Sequence, residues 1–469
     1  MRKIKVRKYQ SIRVQDLKKF YYCKQNWSND YKHELKSKRK LGPYDWREFI
    51  YWPFKILAMP IVGSIIVILL FLIRGYRNLI LSSSVLSILV LAFLLIASYI
   101  RERFRAYKYR IDNDKIKKKC FILNEINKTS LVIGLVGDIM RMKNIFRSYN
   151  LRFSQSVKHF FKDVDVIVGN LEGVISMRRG SLLKQSFQKK ILFELDSLRI
   201  TQSTKWLLGL SNNHSADFRL LNFNHSLFSI IRKPNFFVFG RKDVPNVVLK
   251  SRINIACASE WSNHDNWDYI SKYSNKELRK YHCCCKFNIL YPHWGYENER
   301  YVRKRLQKDA KALLTGEKQK YSWYQRFIRK HLKKKIRSSK FRKWDLIFGH
   351  HSHVRQPLMQ VLDKKEMVKK LVVFSGGNFT SGALILRRRK HTQGIIMKCK
   401  IGPLADQPKK LAIGQVKWRN TRVQNKIKNY KTRTVYIDRK NEKTYNIYAL
   451  IFIIIAWTLF IIAIVNKWF

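Results

Sequence analysis

The chain has 469 residues and carries 95 Lys+Arg against 31 Asp+Glu, a formal charge of +64. That length holds one large domain with room for anchors and tails, and the charge suits a polyanionic partner or reflects a lysine-rich composition, naming none by itself. Seven cysteines, three of them adjacent at Cys283, Cys284 and Cys285, exclude an evenly spaced disulfide framework and suit a reducing compartment; no CxxC zinc pattern is present.

In chain order, residues 1–55 form a basic N-terminal segment with 16 Lys/Arg against five Asp/Glu. Two uncharged apolar stretches follow, Ile56–Ile73 and Leu79–Ile100, joined only by Arg74–Asn78. Their length predicts a transmembrane helical hairpin over 56–100, too deep in the chain for a cleaved signal peptide. Residues 101–130 are a basic linker, with nine Lys/Arg between Arg101 and Lys119. A third apolar stretch, Ile447–Val465, predicts a C-terminal transmembrane helix, reached through a basic connector at 401–446. The basic flanks on both sides of the hairpin predict an integral, multi-pass protein of the cell membrane, in contact with the lipid bilayer, whose main domain is cytoplasmic.

Between Leu131 and Lys400 one local pattern repeats. Short apolar runs of strand length stop abruptly at polar residues able to bind metal. Leu131–Val136 leads into Gly137-Asp138, and Val164–Val168 into Gly169-Asn170-Leu171-Glu172. Trp206–Leu210 leads into Ser211-Asn212-Asn213-His214, with Asp217 three residues on. Phe287–Tyr291 leads into Pro292-His293-Trp294-Gly295, with Glu297 close behind; the Cys283–Cys285 run reads as the apolar start of this strand. Asp345–Phe348 leads into Gly349-His350-His351-Ser352-His353, and Leu371–Phe374 into Ser375-Gly376-Gly377-Asn378. Strand ends sharing one sheet edge converge on one crevice. Carboxylate, carboxamide and imidazole donors together suit a divalent Mn, Fe or Zn ion.

Taken singly, these residues have plainer readings. Asp138 reads equally as a turn residue, His293 as a satisfied core histidine, and Gly376-Gly377-Asn378 as a tight turn. The three imidazoles of His350, His351 and His353 within four residues are harder to explain without a ligand. From Glu317 to Lys343 runs a basic insertion with twelve Lys/Arg. Tyr324, Ile328, Leu332 and Ile336 recur there at helical spacing. That fits an amphipathic helix lying on an anionic membrane face, or equally one packed on the domain with a solvated lysine face. No nucleic-acid module accompanies the charge, so nucleic acid is not expected as a partner.

The ordered set GD, NLEG, NNHxxD, HWGxE, GHHxH and GNF over 131–400 resembles the CapA family of poly-γ-glutamate and capsule biosynthesis proteins, related to the calcineurin-like metallophosphoesterases. The resemblance implies an α/β metallophosphoesterase sandwich, its sheets flanked by helices. It implies metal binding by Asp138, Glu172, Asn213, His293, His351 and His353, with His214 facing the substrate as proton donor and Asp217 supporting it. Asn170, Glu297, His350 and Asn378 are implied in orienting or substrate-facing roles. Two departures from the superfamily stand out: Met140 occupies the place of a first-motif histidine, and Asn-Leu-Glu replaces Gly-Asp in the second motif. The function implied is a metal-dependent hydrolase of phosphoesterase type in capsule or poly-γ-glutamate synthesis. Its substrate would be an anionic polymer or a phosphorylated compound, and its partners polymer synthetase subunits. A non-catalytic scaffold that binds an acidic polymer, and a general metallophosphoesterase, are the alternatives.

Overall fold

The computed structural model describes residues 119–437 except 141–149, 177–183, 200, 216, 264–268, 285, 301, 318–341, 381–388 and 427–428. Two sheets dominate. In the first, β2 (Leu131–Ile139), β4 (Val166–Leu171), β7 (Lys205–Gly209) and β8 (Phe236–Phe239) run parallel in that order. The antiparallel strands β16 (Gln393–Pro403), β17 (Leu411–Lys426) and β18 (Asn429–Ile437) extend it beyond β2, and β3 (Asn150–Phe153) closes that edge. Two short strands complete it, β1 (Cys120–Ile122) on β17 and β15 (Asn378–Thr380) on β2, while β5 (Val174–Ile175) and β6 (Ser186–Phe187) form a separate two-stranded ribbon. The second sheet has six strands: β9 (Asn246–Leu249), β10 (Ile253–Ser259), β11 (Phe287–His293), β12 (Leu346–Phe348), β14 (Val368–Val373) and β13 (Leu358–Asp363), parallel except at its two edges.

The parallel strands read as nearly unbroken apolar runs because both their faces are covered. One face meets the opposite sheet: Leu131, Ile133, Leu135, Val166 and Val168 pack with Ile255, Ile289, Tyr291, Phe348 and Val373. Helices cover the outer faces. Helix α1 (Gln155–Phe160), α2 (Lys190–Asp196) and α3 (Arg219–Ile231) lie on the first sheet, while α4 (Asn275–Tyr281) and α5 (Lys304–Thr315) lie on the second. Local chemistry sets several helix ends. Ser154 and Ser274 accept hydrogen bonds from the amides of Val157 and Glu277, the second reading S-x-x-E, and Gly316 closes α5 in the left-handed conformation. The result is a four-layer α/β/β/α sandwich.

Three sequence-based expectations need correction. First, the described residues are sheet-rich, with 44% strand against 18% helix, so their helices are thin outer layers and not spanning elements. None of the described helices is long and apolar enough to cross a membrane, the longest being the 13 residues of α3. The segments 56–73, 79–100 and 447–465 lie outside the described residues, as do 1–55 and nearly all of the basic insertion 317–343. The transmembrane hairpin, the C-terminal spanning helix and the cytoplasmic placement built on them therefore have no observed helix to rest on and are set aside. Hydropathy alone registers an apolar run; it does not place one in a bilayer. Second, the stretch 401–446 is not simply a connector, because β17 and β18 are full members of the first sheet; the linker 101–130 likewise contributes β1. Third, Cys283 and Cys284 do not begin a strand, β11 starting at Phe287 after a bend, and Cys285 lies outside the described residues. The described cysteines are all free thiols.

Candidate metal centre

Strand alternation places the site. Along β11, Phe287, Ile289 and Tyr291 face the inter-sheet core, so the two-residue period carries His293 to the same face. Leu346 and Phe348 do the same for His350, which bridges to His293 beyond the end of β12. In β4, Val166 and Val168 bring Asn170 inward, opposite Asp138 on β2 after a bulge between Leu135 and Asp138. The polar strand ends of both sheets thus meet at one end of the inter-sheet seam.

Glycine allows that meeting. A Cβ on Gly137 would lie 1.9 Å from the carbonyl oxygen of Gly377, whose own φ is +62°. Only two bare backbones let the β2 end and the 375–378 turn close on each other, with the Asp138 amide donating to Gly377 O at 2.9 Å. The loop after β12 is strained as well: His351 and His353 have φ of +95° and +56°, a region that non-glycine residues rarely occupy.

Asp138, Glu172, Asn170, Asn213, His214, Asp217, His293, His350, His351, His353 and Asn378 are all buried. Asp138 accepts from Asn170 Nδ2 at 2.8 Å and from the His351 amide at 3.1 Å, and lies 3.3 Å from His350 Nδ1 and 3.4 Å from His353 Nδ1. His353 Nε2 lies 3.4 Å from Glu172 and 3.7 Å from Glu297, while its Nδ1 is 3.1 Å from Asn378 Oδ1. His293 Nε2 stands 2.9 Å from Asn213 Oδ1 and its Nδ1 2.8 Å from His350 Nδ1; its ring centroid is 4.3 Å from that of His351. His214 Nδ1 pairs with Asp217 Oδ2 at 2.7 Å. The candidate site residues named from the strand ends are thus in or beside one cluster.

Asn212, part of the NNHxxD motif, and several residues that carried no such signal complete the site. Asn212 donates to Asn170 Oδ1 and Leu171 O, and its own oxygen receives the His214 amide. Asn263 contacts Asn213 and His214, Trp261 stacks on His351, and the His391 carbonyl anchors Asn378. Trp261 and Asn263 follow the end of β10, so the strand-end rule could have found them. Ser259-Glu260-Trp261 shows no ligand-like cluster to draw attention.

Three overlapping groups have ligand atoms within 4.8 Å of one another: Asp138, His293 and His350; Glu172, His293 and His351; and Asp138, Glu172 and His353. These buried groups can hold a metal ion. The fit rests on orphaned atoms as much as on proximity. Neither carboxylate oxygen of Glu172, nor Nε2 of His350, has a hydrogen-bond partner although all are buried, and a cation would satisfy such acceptors.

The electrostatics agree. Burial opposes ionisation of Asp138, yet the hydrogen bonds and charges of His350 and His353 hold its carboxyl well below the usual range. Burial pushes Glu172 up to about 7 despite the pull of His353. Burial also works against charge on His214 and His353, but Asp217 raises His214 to about 9, and Glu172, Asp138 and Glu297 hold His353 well above its ordinary value. Burial and the neighbouring His351 and His350 keep His293 well below it. The centre therefore mixes neutral imidazoles with protonated ones held by carboxylates, and metal uptake must release protons.

A pH effect follows for metal-free protein. A histidine raised in the folded state stabilises fully below about 6.5, its unfolded value, and that stability is lost as pH rises through the folded value. For His214 the window runs from about 6.5 to about 9, and the loss is on the order of 3 kcal/mol. Urea unfolding in the presence of a chelator should weaken across it, and less so for Asp217→Asn. An unchanged slope in that variant would remove Asp217 as the proton-holding partner.

No protein-family model matches the chain, and no curated protein matches it in sequence. Fold and site together define a sheet-rich α/β/β/α protein with a buried aspartate, glutamate and histidine cluster able to hold a metal ion.

Proposed function

We propose that this chain is a metal-dependent hydrolase of phosphoesterase type, acting on an anionic substrate and similar in role to the CapA proteins of capsule and poly-γ-glutamate synthesis. The observation that carries the reading is the buried cluster in which the Glu172 oxygens and His350 Nε2 have no hydrogen-bond partner. The ordered motifs and the cationic balance of the chain support the substrate class.

Asp138, Glu172, Asn213, His293, His351 and His353 would hold the metal, with His350 beside them. Mixed oxygen and imidazole donors favour Mn, Fe or Zn. When bound, a divalent ion supplies Lewis acidity toward a phosphoryl oxygen. The chain's own residues do the rest. Asp217 binds Nδ1 of His214, fixing the ring and keeping its proton, so that Nε2 is left to donate to a leaving oxygen. Asn170 and the His351 amide orient Asp138, Asn378 orients His353, and Asn212 ties the second and third motifs together. The nearly complete burial of these groups keeps bulk water from competing with them.

The test combines metal analysis with turnover of a chromogenic phosphodiester. Purified protein should carry stoichiometric Mn, Fe or Zn. His214→Gln should keep the metal and the fold while losing about a hundredfold or more in kcat, the scale of a missing general acid. Metal-loaded protein without turnover of any phosphoester would instead indicate a polymer-binding scaffold. Protein that takes up none of the three metals would end the hydrolase reading.

A further inference from the structure

A second cleft, of about 1100 Å³, opens at the other end of the sandwich. It is lined by the starts of β11 and β12, by α4 and by the 407–411 turn between β16 and β17, so it straddles the same inter-sheet seam as the metal centre. Phe287 and Asn288 line it, whereas His293 ends the same strand, so the two sites are separated by the length of β11, about 20 Å.

Its lining is strongly one-signed, with eight Lys/Arg against Asp345 and Glu366. Both acids are already engaged: Glu366 by Lys343 at 2.7 Å and Lys410 at 2.9 Å, and Asp345 by the buried Lys370 at 3.1 Å. Four of the other cations, Arg252, Lys286, Arg342 and Lys409, are not neutralised in this way. Among the described residues, Arg252 and Lys286 donate to backbone carbonyls of Lys409 and Ser251, and neither they nor Arg342 or Lys409 pair with a carboxylate. Like charges converging on a concave wall raise the free energy of the unliganded protein, and a multivalent anion would relieve it. Guanidinium groups on that wall suit the forked geometry of phosphate and carboxylate oxygens.

We propose that this cleft is a binding site for a small, multiply charged anion bearing phosphate or carboxylate groups, separate from the metal centre and independent of its reading. Single-stranded nucleic acid is disfavoured, because stacking needs exposed aromatic rings and the lining's Phe, Tyr and Trp content is Phe287, which is buried.

The test is calorimetric titration of full-length, metal-free protein with inorganic tripolyphosphate, and in a second arm with citrate. Saturable binding by either supports the site, and the tighter of the two identifies phosphate or carboxylate as the preferred group. The triple variant Arg252→Ser, Arg342→Ser, Lys409→Ser removes exposed side chains and should weaken binding at least about tenfold, with the single variant Arg342→Ser intermediate. A control with equal charge loss on the helical layer and the turn after β8, Lys162→Ser, Lys189→Ser, Lys242→Ser, should change it less than about twofold. Equal weakening in both triples would reduce the binding to overall charge and overturn the proposal. So would an absence of saturation, or a charge-matched oligonucleotide binding more tightly than tripolyphosphate.

Discussion

Glu172→Gln protein is expected to lose its metal and, in the metal-free form, to be at least as stable as the parent. Glu172 is fully buried, neither of its oxygens has a hydrogen-bond partner, and burial raises its carboxyl to about 7. A carboxyl raised from 4.5 in this way imposes no penalty below 4.5, and the full penalty is reached once pH exceeds the folded value. At pH 8 the ionised side chain therefore costs on the order of 3 kcal/mol, which an amide of similar shape avoids in part. Asp138→Asn should behave in the opposite way. Its carboxylate receives Asn170 and the His351 amide and faces His350 and His353, so removing the charge breaks a satisfied buried network. A loss of about 3–5 kcal/mol is expected, together with the loss of metal. Elemental analysis paired with urea unfolding in chelator reads both variants. If Glu172→Gln were the less stable of the two, or kept a full metal complement, the assignment of Glu172 as a ligand without hydrogen bonds would fail.

Gly137→Ala is the second large effect. The added methyl would stand 1.9 Å from the Gly377 carbonyl oxygen and 2.9 Å from two neighbouring carbonyl carbons, all backbone atoms that cannot rotate away. Relief requires parting β2 from the 375–378 turn, which breaks the Asp138 amide to Gly377 O bond and shifts Asp138 relative to Asn378. A cost above about 3 kcal/mol is expected, beyond ordinary overpacking, with weakened metal affinity in whatever protein folds. Gly295→Ala is the comparison. There the new methyl meets only Leu306, at 3.4 Å, and the penalty is that of φ at +83°, roughly 1 kcal/mol. Thermal unfolding of the two variants side by side decides the matter, and similar midpoints would show that the close approach at Gly137 is not a constraint.

Much of the site was legible because its determinants are local. A strand's two-residue period puts Phe287, Ile289, Tyr291 and His293 on one face whatever surrounds them, and the same holds from Leu346 to His350. Apolar runs that end at aspartate, asparagine or histidine therefore reveal both the strand and the direction its ligands face. Long-range pairing left weaker traces. β17 has the sequence LAIGQVKWRNTRVQNK, whose buried Ile413, Val416 and Val423 are spaced among polar residues, so a sheet strand reads as a polar connector until β16 and β18 are paired with it.

By itself, then, the sequence determined six of the strands, β2, β4, β7, β11, β12 and β14, and that ligand-type side chains gather where those strands stop, since backbone geometry and side-chain alternation are properties of consecutive residues. Only the tertiary structure decided the remainder. It brought Trp261, Asn263 and His391 around the cluster, selected Gly137 and Gly377 for a backbone contact that no neighbouring residue announces, and left Glu172 without a hydrogen-bond partner. It also placed Arg252, Arg342 and Lys409, nearly 160 residues apart at the extremes, around one cleft at the far end of the seam. Contacts of that kind depend on how two sheets close against each other, and the free energy of closure is shared among residues that are neighbours in space and strangers in sequence.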